Sequence, residues 1–170
     1  MKVSSLEQVA GALNAATVPF IVVGGLAVNA HGYGRATADV DLVVRLTPEH
    51  IRAAFGALAS LGYSPRVPVS ADGFADPVQR QQWVVEKGMQ VLNFHSDRHR
   101  ETPVDIFVQE PFDFEREYER AVVDQIATGV PVRIVSLETL IQMKVAAGRP
   151  QDLADIAELR SMHGRGGTDG

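Results

Sequence analysis

The chain has 170 residues, of which 45% are hydrophobic and 22% are charged, and its formal net charge at pH 7 is −5. Its size predicts one globular domain over residues 1–163, and its glycine-rich end predicts a disordered tail over 164–170. Because the chain has no cysteine, disulfides, thiolate nucleophiles and cysteine-ligated zinc sites are excluded. The negative charge argues against broad attraction to nucleic acid and leaves open a local basic groove.

The apolar segments are too short to predict a membrane protein. The sequence has no run of about 18 or more apolar residues, and its start lacks a basic segment followed by a long apolar stretch. We therefore expect a cytoplasmic protein with neither a membrane-spanning helix nor a secretory signal.

The first 61 residues predict alternating helices and strands. In chain order the pattern gives a helix capped by Ser4 or Ser5, a strand at 20–23, a short helix at 26–31, a strand at 40–44 and a helix from Thr47 to about 61. The β-branched residues favour the two strands, and Thr47 followed by proline is typical of the start of a helix. Gly24 and Gly25 end the first strand in a turn.

The remaining residues predict further strands and then helices. The pattern gives strands at 83–85, 89–94 and 103–108, loops at 72–76 and 95–99, a hairpin of strands at 122–126 and 130–135, and helices that begin at Ser136 and Pro150. Together the elements predict an α/β (α+β) fold. Its mixed, mainly antiparallel central sheet is flanked by helices, and the C-terminal helices span 136–163.

Asp39 and Asp41 are the first candidate site. They lie two residues apart at a predicted strand, so their side chains share one face of the sheet. Adjacent carboxylates repel each other unless a cation lies between them, and such hard oxygen ligands suit Mg²⁺. Asp105 alternates with two apolar residues on another strand and is a third carboxylate that can reach the same face.

The glycine turn and two basic residues form a candidate phosphate site. Because Gly24 and Gly25 have no Cβ, their backbone can approach a phosphate closely, and the helix that follows offers free N–H groups. Arg35 and Lys144 are candidate cationic contacts to the same phosphate.

Each of these features also has a purely structural interpretation. An Asp-x-Asp pair can be a solvated strand, and Asp105 can protect a strand edge. The glycine pair can serve close packing of the helix on the strand. Arg35 can pair with Asp39 or Asp41, and Lys144 can be a solvated residue of an amphipathic helix.

Two further polar groups favour structural or peripheral roles. Asp152 and Asp155, on the last predicted helix, are expected to form ion pairs with Arg149 or Arg160. The segment 95–100 contains two histidines and two arginines, and we interpret it as a surface loop that could touch an acceptor substrate.

These residues resemble a known pattern. Gly24, Gly25 and the segment Arg35-Ala36-Thr37-Ala38-Asp39-Val40-Asp41-Leu42 resemble the signature of the DNA polymerase β-like nucleotidyltransferase superfamily, in which a glycine turn precedes an Asp-x-Asp strand. The segment 103–106 is similar to the strand with the third metal carboxylate, and 136–156 is similar to the C-terminal helices. The closest resemblance is to the minimal and abortive-infection-type members, some of which are toxins of toxin–antitoxin pairs.

The resemblance implies roles for the three aspartates. Asp39 and Asp41 would coordinate two Mg²⁺ ions. Asp105 would bind the catalytic metal and help to deprotonate the attacking hydroxyl. The product would be a nucleotidylated acceptor and pyrophosphate.

The resemblance also implies how the nucleotide is held. Gly24 and Gly25 would hold the triphosphate of the nucleoside triphosphate (NTP). Many relatives have a serine where this chain has Gly25, so that hydroxyl contact to phosphate is missing here.

These observations predict a magnesium-dependent, ATP- or other NTP-binding nucleotidyltransferase whose acceptor hydroxyl lies on RNA, a protein or a small molecule. By resemblance it could be a toxin with an antitoxin partner, and an antibiotic-modifying enzyme is the small-molecule version of the same chemistry. Two alternatives stay open. The chain could be a noncatalytic nucleotide-binding or regulatory module that retains the fold, or one subunit of a two-part enzyme.

Overall fold

The computed structural model of the chain describes residues 1–164. The last helix runs through Gly164, and residues 165–170, for which a disordered tail is predicted, lie outside the described residues. The elements are, in order, α1 (Val3–Ala15), β1 (Phe20–Val23), α2 (Gly24–Ala30), β2 (Val40–Val44), α3 (Pro48–Ser60), β3 (Tyr63–Pro65), α4 (Ala71–Ala75), α5 (Pro77–Lys87), β4 (Val91–Ser96), β5 (Val104–Phe107), α6 (Phe114–Arg120), β6 (Val122–Ala127), β7 (Val130–Ile134), α7 (Leu137–Ala147) and α8 (Pro150–Gly164).

Within residues 1–164 the strands form one mixed, seven-stranded sheet in the order β3-β4-β5-β2-β1-β7-β6. The β2–β5 and β1–β7 pairs are parallel, and the other four pairs are antiparallel. This confirms the predicted mixed, mainly antiparallel sheet. Strand β2 is antiparallel to β1 and parallel to β5. The C-terminal end of β1 and the N-terminal ends of β2 and β5 therefore lie at the same end of the sheet.

The hydrophobic pattern explains why the central strands are central. All four residues of β1 are buried, whereas β5 alternates buried Val104 and Ile106 with half-buried residues. Helix α3 packs on the face of β4 that carries Phe94, where the Phe55 ring meets the Phe94 ring edge-on at 5.1 Å. Along β5, residues that point into the core therefore alternate with half-buried residues. Asp105 is one of the half-buried residues, so its carboxylate is available for a polar site at the start of the strand.

Several predicted elements are confirmed and others are wrong. Strands β1 and β2 have the predicted bounds, and Thr47 caps α3 by accepting a hydrogen bond from the His50 N–H. The predicted cap at Ser4 or Ser5 is wrong, because both residues lie inside α1 and the Ser5 hydroxyl is 2.8 Å from a ring nitrogen of His99 instead.

The middle of the chain differs most from the prediction. The segment 83–85, predicted as a strand, belongs to helix α5, which Asp76 caps and Pro77 begins. The segment 72–76, predicted as a loop, largely forms the short helix α4, capped by Ser70. Helix α6 and strand β3 were not predicted. Among residues 1–164, no helix combines the length and the apolar character needed to cross a membrane.

Burial of α3 against the sheet predicts a large stability difference between two identical substitutions. Leu58 of α3 is completely buried, whereas Leu153 of α8 is 58% exposed. We expect Leu58→Ala to lower the free energy of unfolding by about 2–5 kcal/mol because it leaves a cavity. Leu153→Ala should change it by less than about 0.5 kcal/mol. Denaturant unfolding measures both, and equal losses would contradict this packing.

Candidate active site

The three predicted aspartates meet at one end of the central strands. Asp41 of β2 is directly paired with Asp105 of β5 in the parallel register. Asp39 lies two residues before Asp41, just ahead of β2. The Val40 N–H donates a hydrogen bond to the Pro103 carbonyl at 2.9 Å, which joins the starts of the two strands. The structure therefore brings all three carboxylates to the same end of the sheet.

Burial, together with the concentration of negative charge, raises the pKa of two of these carboxyl groups. Burial, then the charges of Asp105 and Asp39, raises the pKa of Asp41 from 3.8 to about 6, although Arg149 and Lys144 oppose the shift. Burial, with the charge of Asp39, also raises the pKa of Asp105. The ionised cluster is therefore unfavourable by itself, and a cation placed among the carboxylates would stabilise it.

A neighbouring amide and a guanidinium orient Asp105. Asn93 of β4 is paired with Asp105 across the sheet, and its Nδ2 donates a hydrogen bond to Asp105 Oδ1 at 2.6 Å. Arg66 in turn donates a hydrogen bond to the Asn93 side-chain oxygen. Both groups act to lower the pKa of Asp105, against the larger effect of burial. Neither was predicted, since a strand register that links residues far apart in the chain has no local signal.

Gly24 is required by the close approach of the Asp41 side chain. Its φ is +64°, in the left-handed region that favours glycine, and a Cβ at this position would overlap the Asp41 carboxylate. The predicted glycine turn thus lies against Asp41, one member of the predicted carboxylate pair.

Gly25 is required by a different neighbour. A Cβ at this position would lie 2.5 Å from the Thr37 hydroxyl oxygen and 3.4 Å from Arg35 Nη1. The structure therefore brings together Gly25 and Arg35, two of the residues proposed from the sequence to contact phosphate. It also places the Thr37 hydroxyl in the space beside Gly25 that a serine side chain would need.

Arg35 and Lys144 meet at one buried aspartate of α8. Arg35 makes a two-pronged ion pair with Asp155, through Nε at 2.8 Å and Nη2 at 2.9 Å. Lys144 Nζ lies 2.7 Å from Asp155 and 3.1 Å from Asp152, and its side chain is only 6% exposed. The alternative interpretation, in which Arg35 pairs with Asp39 or Asp41, is therefore wrong. Lys144 is a buried residue and not a solvated one.

Arg149 is a cation beside the cluster whose role sequence reasoning missed. Its Nε donates a hydrogen bond to Asp152 at 2.6 Å, which confirms one predicted ion pair, while its side chain stays 74% exposed. Burial alone would raise the pKa of Asp152, yet hydrogen bonds from Arg149 and Lys144 hold it at about 2. The charge of Arg149 also lowers the pKa of Asp41.

The donor set of the cluster suits Mg²⁺, because carboxylate oxygens are the hard ligands that this ion takes. Within residues 1–164, no three His, Asp or Glu side chains are grouped closely enough to hold an ion by themselves. Mg²⁺ commonly uses only one or two carboxylates, with water and substrate phosphates as its remaining ligands. Asp41 and Asp105, paired across two strands, satisfy that smaller requirement.

Comparison with known families gives a match over nearly the whole described chain. Residues 3–162 match the model of the family described as "Nucleotidyltransferase of unknown function (DUF6036)". No curated protein matches the chain.

Solved structures share the fold. The complex of ANT(2'')-Ia with adenylyl-2''-tobramycin is 13% identical with a TM-score of 0.57, over 94% of this chain and 88% of that one. The solution structure of ANT(2'')-Ia, an antibiotic-resistance factor, is also 13% identical, with a TM-score of 0.60 over 94% and 83%. The TM1012 protein of Thermotoga maritima is 15% identical, with a TM-score of 0.55 over 94% and 92%. At these identities the likeness shows the fold, which is the predicted one.

The raised pKa of Asp41 predicts a pH-dependent stability difference in metal-free protein. Its pKa rises from 3.8 to about 6 on folding, so the folded state keeps the proton up to a higher pH than the unfolded state does. The free energy of unfolding of wild type therefore falls as the pH rises from about 4 to 6. Asp41→Asn has no charge to bury. Between pH 4 and 7 the unfolding free energy of Asp41→Asn, measured relative to that of wild type, should therefore increase by up to about 3 kcal/mol.

This shift can be measured by denaturant unfolding in EDTA. Asp124→Asn, which removes an exposed carboxylate of β6, is the matched control and should show no such shift. A stability difference between Asp41→Asn and wild type that stays constant from pH 4 to 7 would contradict the electrostatic description of the cluster.

Proposed function

We propose that this chain, which belongs to the nucleotidyltransferase family DUF6036, transfers a nucleoside monophosphate from an NTP to a hydroxyl group of an acceptor. The observation that carries the proposal is the meeting of Asp39, Asp41 and Asp105 at the strand end where Gly24 leaves room for the Asp41 carboxylate. The adenylyl group named in the ANT(2'')-Ia complex makes ATP the first triphosphate to test.

In the proposed reaction the acceptor oxygen attacks the α-phosphorus of the NTP. A new oxygen–phosphorus bond forms, the bond from the α-phosphorus to the bridging oxygen breaks, and pyrophosphate leaves. Asp105 receives the hydroxyl proton. Asn93 donates a hydrogen bond to Asp105 Oδ1 and so fixes the orientation of this carboxylate toward the hydroxyl.

Mg²⁺ is the cofactor in this proposal, with Asp41 and Asp105, which the strand register pairs, as its first protein ligands and two ions as the expected number. Asp39 would have to move closer to complete the set, because within residues 1–164 no three acidic side chains are grouped to hold an ion. When bound, Mg²⁺ would neutralise the phosphates and the charge that develops on the attacking and leaving oxygens. The mutual repulsion and burial that raise the pKa of Asp41 support a cation at this place.

The phosphates of the nucleotide would meet the glycine turn and the cations of the C-terminal helices. Arg149 is best placed for direct contact, because its guanidinium is exposed while Asp152 holds it in position. Arg35 and Lys144 stay nucleotide-binding candidates. Since Asp155 engages both, we assign them mainly an electrostatic role: Arg35 adds positive charge beside Gly25, and Lys144 favours ionised Asp41.

Thr37 would supply the hydroxyl that the resemblance places at position 25. Its oxygen lies 2.5 Å from where a Cβ of residue 25 would stand, at the glycine turn proposed to hold phosphate. A threonine on the neighbouring segment can therefore make the hydrogen bond that many relatives make from the serine after the first glycine.

The cellular role is a separate part of the proposal. Action as a toxin and an antitoxin partner rest on resemblance to abortive-infection-type proteins, whereas the cytoplasmic address rests on the sequence composition. Expression from an inducible promoter tests the toxin role: wild type should stop growth while Asp41→Asn should not, and unchanged growth with active enzyme would remove that role.

Label transfer tests the enzymatic proposal. With Mg²⁺, α-labelled ATP and total RNA or protein, wild type should transfer label, whereas Asp39→Asn and Asp41→Asn should each lower the rate by roughly 100- to 1000-fold. Asp124→Asn, with the same charge change on exposed β6, should behave like wild type. Equal transfer by all variants would remove the aspartates from catalysis. No transfer, together with no Mg²⁺-dependent NTP binding, would favour the noncatalytic module.

Exchange of two residues tests the Thr37 assignment. Thr37→Gly should raise the KM for ATP by roughly 2- to 10-fold, as expected for one lost hydrogen bond. Gly25→Ser alone should be worse, because its Cβ would crowd Thr37. The Gly25→Ser, Thr37→Gly double variant should recover most of the affinity, and steady-state kinetics measures this coupling. Losses that simply add in the double variant would contradict the assignment.

A further inference from the structure

A basic pocket lies at the edge of the sheet beside the carboxylate cluster. It encloses about 200 Å³ and is lined in part by Arg66, His95, His99 and Arg100. Asp97 is the acidic residue of the lining, and its carboxylate lies 3.6 Å from the Arg100 guanidinium, in an exposed pair. In a chain with a net charge of −5, this is a local concentration of cationic and hydrogen-bond-donating side chains.

The sheet register places this pocket next to the reacting end of the site. His95 lies two residues beyond Asn93 on β4 and so faces the same side of the sheet as the Asn93–Asp105 hydrogen bond. Pro103, which also lines the pocket, is two residues before Asp105, and its carbonyl accepts a hydrogen bond from the Val40 N–H at the start of β2. Arg66 joins the two places directly through its hydrogen bond to Asn93.

The walls of the pocket are held by contacts within the fold. The Tyr63 and His99 rings stack at 5.5 Å, and Tyr63 donates a hydrogen bond to the Thr102 carbonyl at 2.7 Å. His99 also contacts the Ser5 hydroxyl at 2.8 Å, which ties the loop to α1. The loop between β4 and β5 is therefore positioned before any ligand arrives, and this lowers the entropic cost of binding.

We propose that this pocket is the acceptor site and that it binds a phosphate of a polynucleotide, so that the terminal hydroxyl of an RNA strand reaches Asp105. This inference rests on the proposed nucleotidyl transfer and names its acceptor class. Guanidinium groups match phosphate oxygens in geometry and charge. The same cations would repel a polycationic amino sugar.

A polynucleotide fits better than a single phosphate because the basic surface continues beyond the pocket. Arg98 lies on the same loop and is exposed, with its side chain next to Gly62 at the start of β3. We expect a strand that places one phosphate in the pocket to have this arginine available for a second phosphate contact. Such backbone contacts fix the position of a strand and carry little base specificity.

The test compares acceptors and one exposed arginine. Wild type, Arg100→Gln and Arg116→Gln are given α-labelled ATP with a single-stranded RNA that has a free 3'-hydroxyl, with ribose 5-phosphate, with glycerol or with tobramycin. Arg100 is 77% exposed, so its substitution should leave folding unchanged, and Arg116 of α6 is an exposed control away from the pocket. Thermal unfolding of both variants checks the fold.

We expect RNA to be the preferred acceptor. Arg100→Gln should raise the KM for RNA roughly tenfold or more, as for a lost charged hydrogen bond, while the KM for ATP changes less than about twofold. It should also lower the salt dependence of RNA binding by about 0.7 in the logarithmic slope, as expected for one lost contact to single-stranded phosphate. Arg116→Gln should match wild type in each measurement.

Three results would overturn the inference. An unchanged KM for RNA in Arg100→Gln would remove the pocket from acceptor binding. Preferred labelling of tobramycin or glycerol would reject an anionic acceptor, while nucleotidyl transfer itself would stand. If ribose 5-phosphate is labelled and RNA is not, the inference that the acceptor is a polynucleotide is rejected.

Binding without catalysis separates this inference from the proposed function. If no acceptor is labelled, fluorescence anisotropy with labelled RNA still measures the pocket directly. RNA binding that depends on Arg100 and not on Arg116 would then support the pocket while nucleotidyl transfer fails. Binding equal in all variants would overturn the pocket as well.

Discussion

The crowding of carboxylates at one end of the sheet is the constraint around which the site is built. Asp41 is paired in register with Asp105 and lies against Gly24, so burial and like charges together oppose its ionisation. Positive charge from the C-terminal helices partly offsets this effect. Lys144 and Arg149 both favour ionised Asp41, and buried aspartates of α8 hold these two cations in place. The two helices are therefore an electrostatic part of the site.

Much of the fold could be predicted because its signals are local. Strands β1 and β2 are short runs of β-branched residues between glycine or polar breaks, and α3 begins at a threonine followed by proline. The prediction of a strand at 83–85 was wrong because a short apolar run fits a strand and a helix equally well. The Asp76–Pro77 pair, a typical helix start, was the signal that would have identified α5.

The carboxylates of the site could be predicted from alternation along two strands, but their partners could not. Asn93 reaches Asp105 only through the pairing of β4 with β5, and no spacing in the chain indicates that register. For Lys144 the sequence allowed either a phosphate contact or a solvated side chain on an amphipathic helix, and only the packing of α8 on α7 shows that it is buried among aspartates. Long-range pairing of charges is thus the information that a single sequence lacks.

Calorimetric titration with a nonhydrolysable ATP analogue, in Mg²⁺ and in EDTA, tests the central claim most directly. If the carboxylate cluster is a magnesium–nucleotide site, wild type should bind the analogue at least roughly tenfold more tightly with Mg²⁺, as one lost charged contact would predict. Asp41→Asn should lose that difference. Binding of equal strength in Mg²⁺ and EDTA, or a full Mg²⁺ effect in Asp41→Asn, would contradict the account.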